Sequence, residues 1–359
     1  MGGWVWWIRM GFTLYDHRYK RLMLLPLIVG IAALIIVFIY PGVTLGLDFA
    51  GGTRVVVNTD LLQEQPVKDL LSSELGLPEV KVQIVSSPLG TNARIEYAEP
   101  RPLAEARVLL DRAAQAQEDN PTQAEGLLRE ALLKLNRTPS SSGVDALIVE
   151  TAQAINEESQ SIADAVRESL TLRFGLPAST SFTVEEVTPT FGASFLGNAL
   201  FVGLISIILL TIVIFIFFRE WVPSLAVVEA ALFDMLIAVA LATLFGFSFT
   251  LAAVAALLML IGYSVDTDIL LTTRILKRKD KDVFARANDT LITGLTVTGT
   301  LFGAALVMLI VSWYAQITTI FEIAAIVLFG MIGDLIATWF TNAPILLWYW
   351  EKKHGKVSA

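Results

Sequence analysis

The sequence contains no cysteine and only two histidines, His17 and His354. Without cysteine there are no disulfide bonds and no thiolate metal ligands. The two histidines lie far apart and outside the apolar segments, which argues against a histidine metal centre or a catalytic triad. A GxxxxGK[ST] phosphate-binding loop is also missing, so ATP is not the direct energy source of this chain. We therefore expect no cofactor and no enzymatic activity.

Charged residues are scarce, at 17% of the chain against 55% hydrophobic residues, and the mean hydropathy is +0.64. Such a composition is too apolar for one globular fold and indicates membrane spans. The net charge of −8 is unevenly distributed, because residues 43–190 hold 22 of the 34 acids and 12 of the 26 bases. This acidic balance, with a pI near 5.0, argues against a nucleic-acid partner.

Six apolar segments are long enough to cross a hydrocarbon layer of roughly 30 Å as helices. They cover residues 22–41, 194–218, 222–246, 249–271, 290–311 and 318–349. The first segment is longer than the apolar part of a typical signal peptide, and PGVTLGLDFAGG follows it rather than a small-residue cleavage site. We therefore interpret it as an uncleaved anchor.

The positions of the basic residues predict the orientation in a cell membrane, since lysine and arginine near span ends stay in the cytoplasm. Of the 14 bases outside residues 43–190, none lies in the short loops near Gly246 and Ser312. They fall in residues 1–21, at Arg219, between Arg274 and Arg286, and in the tail 350–359. Six spans with both termini in the cytoplasm account for all of them and place residues 43–190 outside the membrane.

Residues 43–190 predict a soluble α+β domain. Strands are expected at 53–59, 79–86, 93–98 and 181–188, with a helix at 66–75, on alternation such as Val80, Val82 and Ile84. The resulting β-α-β-β-α-β order is the ferredoxin-like pattern.

A helical insertion enlarges the second helical position of this domain. Helices at 104–117 and 123–135 form a hairpin around Asn120 and Pro121, ahead of a long helix at 144–173. The insertion at 104–135 is either an acidic, solvated addition or a surface that docks a partner outside the membrane. Normal assembly and function of the protein after its removal would eliminate the docking hypothesis.

Six ionisable residues lie inside the apolar segments, and all are acids: Glu229, Asp234, Asp266, Asp268, Glu322 and Asp334. Such groups are costly in hydrocarbon unless they are paired or hydrated, so they mark candidate ion pathways. Because no histidine lies nearby, a proton relay would have to use these carboxylates. The alternative is that they accept hydrogen bonds between helices and only fix the bundle.

The fourth segment contains the run GYSVDTDILLTTR, from Gly262 to Arg274. On a helix Asp266 and Asp268 are about 200° apart, so they cannot face the same neighbour. Asp266 lies only about 80° from Arg274, which favours Asp266 as the functional acid, whereas Asp268 shares a stripe with Ser264 and Thr272. The alternative interpretation of Arg274 is an anchor at the end of the span, with its charged group extending to the membrane surface.

The fifth segment is rich in small and hydroxylated residues, and Gly299 and Gly303 form a GxxxG pair. Such pairs let helices approach closely, so this pattern predicts a tightly packed helix.

Four motifs resemble the SecF family. They are the GLDFAGGT run at 46–53, the GYSVDTDILLTTR run, the ANDTLITGLTVTGT run at 287–300 and the GDLIATWFTN run at 333–342. The resemblance implies an RND-type membrane half that pairs with a SecD-like subunit beside the SecY channel. It further implies that the proton gradient helps exported polypeptides to cross the membrane, with membrane lipid around the bundle.

The resemblance also implies roles for individual residues. The acid of the bacterial GYSxND signature aligns with Thr267 here, between Asp266 and Asp268, so the proton-carrying residue stays open, with Asp234 and Asp334 as further candidates. Arg274 aligns with the family's arginine. At the first motif, Asp48, Gly51 and Gly52 are expected to form a hinge or strand cap, since glycine permits unusual turns and aspartate bonds local N–H groups. Gly262 and Tyr263 belong to the second signature.

Three other functions are compatible with a membrane protein that carries buried acids. An intramembrane aspartyl protease needs Tyr-Asp and Gly-x-Gly-Asp motifs. The candidate runs here are Phe233-Asp234 and Met331-Ile332-Gly333-Asp334, so both motifs fail and this function is disfavoured. An RND-type exporter of small molecules or lipids would share the fold and the proton chemistry. A scaffold that only assists assembly would use the acids structurally.

Overall fold

The computed structural model describes residues 14–16, 18–88, 90–187, 189–278 and 282–355. At residue 50 and residues 189–196 it describes the backbone but not the side chains. Arg9, His17, Lys279, Lys281 and Lys356, which entered the sequence predictions, lie outside the described residues. The chain divides into two compact units, one of residues 46–197 and one of the remaining residues.

Helices make up most of the described chain, and four strands interrupt them in the first half. The elements are, in chain order, α1 (Leu24–Phe38), α2 (Leu47–Ala50), β1 (Gly52–Asn58), α3 (Glu64–Asp69), β2 (Lys81–Ser87), β3 (Gly90–Tyr97), α4 (Arg101–Ala116), α5 (Pro121–Lys134), α6 (Val144–Phe174), β4 (Phe182–Val187), α7 (Pro189–Phe218), α8 (Trp221–Leu244), α9 (Leu251–Lys277), α10 (Val283–Ala315), α11 (Thr318–Ala337) and α12 (Ala343–His354). A 3₁₀ turn at Tyr19–Met23 precedes α1, and π-helical turns at Leu70–Glu74 and Thr338–Asn342 follow α3 and α11.

Unit 46–197 is built on an antiparallel sheet with the strand order β2-β3-β1-β4. Its strands alternate between the two faces, as expected for a sheet with one buried side. Val55 and Val57 point into the core and Asn58 is exposed at the end of β1. Val166 and Leu170 of α6 pack on the same core. Strands and helices follow one another along the chain in the predicted β-α-β-β-α-β order.

The helical insertion has a core of its own. Helices α4 and α5 pack against each other and on α6 through buried side chains that include Leu103, Leu128, Leu132 and Leu147. Asn120 caps α5 by accepting a hydrogen bond from the backbone N–H of Gln123, which starts the second helix of the hairpin directly after the turn. The insertion is therefore a folded part of the unit.

A buried ion pair joins this insertion to the sheet. The guanidinium of Arg107, on α4, lies 2.8 Å from the carboxylate of Glu99, which is the second residue after β3. Both side chains are nearly buried. Arg107 also donates to the hydroxyl of Ser159 on α6, over 3.3 Å. The guanidinium of Arg107 thus connects the insertion, the segment after β3 and the long helix α6.

Six helices in the described residues are long and apolar enough to span a membrane, which confirms the predicted number. Helices α8 and α9 and the span from α11 through α12 have half or more of their residues buried within the chain, whereas few residues of α7 between Gly197 and Phe218 are buried. The exposed side chains of α7, such as Leu200, Phe201 and Ile216, are apolar. In a membrane protein such a surface faces lipid or another subunit.

The bundle has its closest helix contacts at glycines, although not at the predicted GxxxG pair. A Cβ atom at Gly294 would lie 2.3 Å from the Trp339 ring, whereas Gly299 and Gly303 face open space. The prediction of close packing at Gly299 and Gly303 is therefore wrong within this chain, because α10 turns that face outward. Gly333 of α11 approaches α8 so closely that a Cβ atom there would lie 2.9 Å from the Cα of Asp234.

Candidate functional site

Three aspartates are brought together in the centre of the bundle, from three different helices. Asp234 of α8 and Asp268 of α9 have no exposed surface, and Asp334 of α11 is 4% exposed. The close approach of α8 and α11 at Gly333 places Asp234 next to the turn of α11 that carries Asp334. We call Asp234, Asp268 and Asp334 the carboxylate cluster.

Hydroxyl and amide side chains hold the carboxylate cluster in place. Ser264 of α9 donates a hydrogen bond to Oδ2 of Asp234. Asp268 accepts two hydrogen bonds at Oδ1, one from the Thr338 hydroxyl at 2.9 Å and one from the Asn342 amide at 2.8 Å. The cluster is thus connected across α8, α9 and the segment after α11.

Thr338 links two of the carboxylates. Its Oγ1 lies 2.9 Å from Oδ1 of Asp268 and 3.1 Å from Oδ1 of Asp334. A hydroxyl has one proton to donate, so it can serve only one of these oxygens fully at a time. A proton on either carboxyl group would therefore change which of the two oxygens accepts the hydrogen bond from Thr338.

The π-helical turn at Thr338–Asn342 supplies both donors to Asp268. Such turns within α-helices are frequently found at functional sites. The turn also carries Trp339, whose ring lies against Gly294 of α10 and whose backbone carbonyl accepts a hydrogen bond from the Tyr15 hydroxyl at 2.8 Å. Contacts on both sides therefore fix the turn.

The carboxylate cluster contains acids but no base. Among the described residues, no ion pair joins a lysine or arginine to Asp234, Asp268 or Asp334. Oδ1 of Asp234, Oδ2 of Asp268 and Oδ1 of Asn342 are buried without a described hydrogen-bond partner. Three unneutralised carboxylates repel one another, and binding a proton or another cation relieves that repulsion.

The structure places Asp268, and not Asp266, in the carboxylate cluster. The two residues do point to opposite sides of α9, but Asp266 is exposed and Asp268 is in the cluster. No described ion pair joins Asp266 to Arg274, whose guanidinium instead donates to the Thr293 hydroxyl of α10 at 2.9 Å. The polar stripe of Ser264, Asp268 and Thr272 is the buried face of α9, because all three residues are buried.

The remaining predicted site residues lie elsewhere. Glu229 is exposed, and Glu322 accepts a hydrogen bond from Thr250 at the start of α9. Gly262 and Tyr263 lie on the exposed side of α9. Thr338 and Asn342, which donate hydrogen bonds to the carboxylate cluster, were not predicted as site residues. They follow Asp334 at intervals of four, which places all three on one helix face.

The GLDFAGGT run forms a tight turn at the start of β1. Asp48 lies in the first turn of α2, close enough to Arg54 to interact with its charge. Gly51 and Gly52 have positive φ angles of 73° and 147°, and a Cβ atom at Gly52 would lie 2.3 Å from the carbonyl oxygen of Tyr97. Only glycine fits this position. The predicted hinge role of these residues stays a prediction.

Two family models match the chain. Residues 172–352 match "Protein export membrane protein SecD/SecF, C-terminal", which covers all helices of the carboxylate cluster. Residues 40–60 match the "SecD/SecF GG Motif". The chain belongs to the SecD/SecF family. The SecD/SecF match spans half of the chain and leaves the helical insertion outside both models.

Curated relatives are named protein-export membrane protein SecF. The protein of Methanolacinia petrolearia is 43% identical over 174 residues, which are 48% of this chain and 61% of that protein. The protein of Pyrococcus furiosus is 44% identical over 170 residues, which are 47% of this chain and 56% of that protein. The chain thus spans a little more than half the length of the curated relatives that it matches.

Solved structures of SecDF share the fold. A SecDF crystal structure in a Super-membrane-facing form matches with a TM-score of 0.54 and 17% identity, over 96% of this chain and 40% of that chain. The structure of the translocon-associated SecDF from Thermus thermophilus matches with a TM-score of 0.57 and 16% identity, over 94% of this chain and 59% of that chain. At this identity the likeness establishes the common SecD/SecF architecture.

Proposed function

We propose that this chain is a SecF-like subunit that assists the export of polypeptides across the cell membrane. The family match and the SecF relatives support the assignment. Its partners would be a SecD-like subunit, the SecY channel and the exported polypeptides. The apolar faces of α1 and α7 would contact lipid or the SecD-like subunit.

The proposed orientation has both termini in the cytoplasm and residues 46–197 outside the membrane. Basic residues support it, because Arg18, Lys20 and Arg21 precede α1 and Lys352 and Lys353 end α12. The loop between α9 and α10 also carries bases, whereas the loops after α8 and α10 carry none.

The observation that carries the mechanism is the carboxylate cluster without a base. An uncompensated buried carboxylate is costly in a membrane, so Asp268 would take up a proton during the working cycle. Protonation removes the charge that attracts Thr338 and Asn342, and the hydroxyl of Thr338 can then turn to Asp334. This exchange would bias the bundle between two packings and so couple the ion gradient to export.

The first test compares Asp268→Asn with Asp266→Asn. The two positions lie on the same helix, but only Asp268 is in the cluster, so Asp266→Asn is a matched control. We expect Asp268→Asn to reduce gradient-dependent export of a secreted reporter by about tenfold or more, and Asp266→Asn to leave it nearly unchanged. Export is measured in cells that contain the complete complex, with the ion gradient intact or collapsed.

Two outcomes would contradict the proposal. Full gradient-dependent export by the Asp266→Asn, Asp268→Asn double variant would show that neither acid couples the gradient. Loss of export in Asp266→Asn alone would move the functional acid to the exposed face of α9. Copurification with a SecD-like subunit tests the partner assignment separately.

A further inference from the structure

A cleft lies in unit 46–197 where the helical insertion meets the sheet-bearing core. Its volume is about 270 Å³, slightly below the roughly 300–1,000 Å³ of small-molecule sites. It is therefore large enough for one or two side chains. Its walls are the segment after α3 (Leu75, Leu77), the start of α4, the end of α5 and the middle of α6.

The floor of this cleft is apolar and belongs to both cores of the unit. Leu77 is part of the sheet-bearing core, whereas Leu103 and Leu135 are part of the core of the insertion. Ile162 of α6 packs against both. Since the two cores are joined by Ile162 and by the Arg107–Glu99 ion pair, closing the cleft would require a shift of two packed cores. The cleft is thus a preformed feature.

The rim of the cleft offers negative charge. Glu158 of α6 is half-buried at the rim, and no hydrogen bond or ion pair to it is found among the described residues. The nearby ammonium of Lys134 is already bound to Glu105, at 2.6 Å. Helix α5 also ends at the rim. The C-terminal end of a helix carries a partial negative charge.

We propose that this cleft binds an extended polypeptide segment in which an apolar side chain is followed closely by a lysine or arginine. The apolar side chain would fill the floor between Leu77, Leu103 and Leu135, and the cation would contact Glu158. Residues 46–197 carry 22 acids and 12 bases, so the unit attracts a cationic segment. The same charge disfavours an anionic lipid or a second copy of this acidic unit.

The identity of the segment as part of an exported polypeptide rests on the proposed function, but the chemistry of the cleft does not. The matching family models leave the insertion uncovered, so the cleft would be a property of this chain and of relatives with the same insertion. It also gives the helical insertion a specific task, because removing α4 and α5 would remove two of the four walls.

The test measures binding of short fluorescent peptides to the full chain in lipid nanodiscs by anisotropy. One peptide places leucine beside lysine, a second leucine beside glutamate, and a third alanine beside lysine, all in a Gly/Ser background. We expect the leucine–lysine peptide to bind, and the other two to bind about tenfold more weakly.

Two variants locate the binding in the cleft. Ala165→Trp fills the cleft from α6 and should weaken binding by about tenfold, whereas Val149→Trp, exposed on the same helix outside the cleft, should not change it. Glu158→Lys should reverse the preference toward the leucine–glutamate peptide, and the exposed Glu168→Lys should not. If Ala165→Trp does not fold, the charge reversal at Glu158 still decides the question.

Several results would overturn the proposal. They are absence of binding by any peptide, equal binding by all three, and undiminished binding by a folded Ala165→Trp variant. Displacement of the peptide by a fatty acid, or self-association that Ala165→Trp abolishes, would assign the cleft to a lipid or to a second copy. Asp268→Asn should leave peptide binding unchanged, so failure of the cleft proposal and failure of ion coupling are distinguishable.

Discussion

Buried acids are treated differently in the two units of this protein. In unit 46–197 the nearly buried Glu99 pairs with Arg107, and Glu96 pairs with Arg54, each at 2.8 Å. In the membrane bundle, Asp268 and its neighbours have hydroxyl and amide partners but no described base. A paired buried acid contributes to structure. An unpaired one is costly, and proteins tolerate such costs mainly where function requires them.

The largest expected effect on stability is the loss of the buried Arg107–Glu99 ion pair. Arg107→Ala leaves Glu99 buried without its partner and should destabilise the insertion by about 3 kcal/mol. Hydrogen exchange of the α4 amides in the full chain measures this. The control is Arg129→Ala, which removes an exposed pair with Glu125 on α5 and should cost less than about 0.5 kcal/mol. Equal costs would show that burial of the Arg107–Glu99 pair is irrelevant.

The next effect concerns the helix contact that brings the carboxylate cluster together. Gly333→Ala places a Cβ atom against the backbone of Asp234 and should cost about 2 kcal/mol by overpacking. The substitution should also impair export, because the added methyl group forces α8 and α11 apart and so moves Asp234 away from Asp334. Gly299→Ala, which meets nothing within 4 Å, serves as the control. Thermal unfolding and the export assay are measured together, and normal export by folded Gly333→Ala would break the link between cluster geometry and function.

A smaller effect is expected for the stability of Asp268→Asn. The amide oxygen of this variant can still accept hydrogen bonds from Thr338 and Asn342, and the uncompensated negative charge is removed. The unfolding free energy should therefore stay the same or rise by about 1 kcal/mol, while export is lost. A marked fall in Tm in detergent would mean that Asp268 has a structural role like that of Glu99, and the contrast between the two units would disappear.

The smallest effect is a local pH dependence in unit 46–197. Hydrogen bonds from the hydroxyl and backbone N–H of Ser140 and the backbone N–H of Ser141 lower the pKa of Glu150 to about 2, from 4.5. Because the folded pKa is depressed, the stabilising contribution is complete above about pH 4.5 and is lost as the pH falls toward 2.

The corresponding measurement compares amide protection at Ser140 and Ser141 between the unchanged chain and Glu150→Gln. The unchanged chain should be better protected at neutral pH, and the difference should vanish near the folded pKa. A difference that stays constant down to that pH would show that the carboxylate charge does not hold this loop.

The number of spans and the order of strands and helices along the chain were predictable from the sequence, because each has a strong local signal. The thickness of the hydrocarbon layer sets the length of apolar segments, and alternation of apolar and polar residues marks strands such as β2. The π-helical turn at Thr338–Asn342 was not predicted, since it depends on tertiary contacts such as those of Trp339 with Gly294 and Tyr15.

The choice between Asp266 and Asp268 shows how far the candidate site could be predicted from the sequence. Helix periodicity placed them on opposite faces, but it could not show which face meets α8 and α11. The hydroxyl stripe of Ser264 and Thr272 beside Asp268 was the better signal, because hydroxyls on a buried helix face can donate to a carboxylate. The spacing of Asp334, Thr338 and Asn342 was a second signal of the same kind.

Infrared spectroscopy of the full chain in lipid tests the central claim most directly, by following the C=O stretch of protonated carboxyl groups during a pH titration. We predict a protonated carboxyl band that disappears as the pH rises, is reduced in Asp268→Asn and is unchanged in Asp266→Asn. A band that is the same in all three proteins, or no protonated carboxyl at any pH at which the chain stays folded, would contradict proton uptake by Asp268.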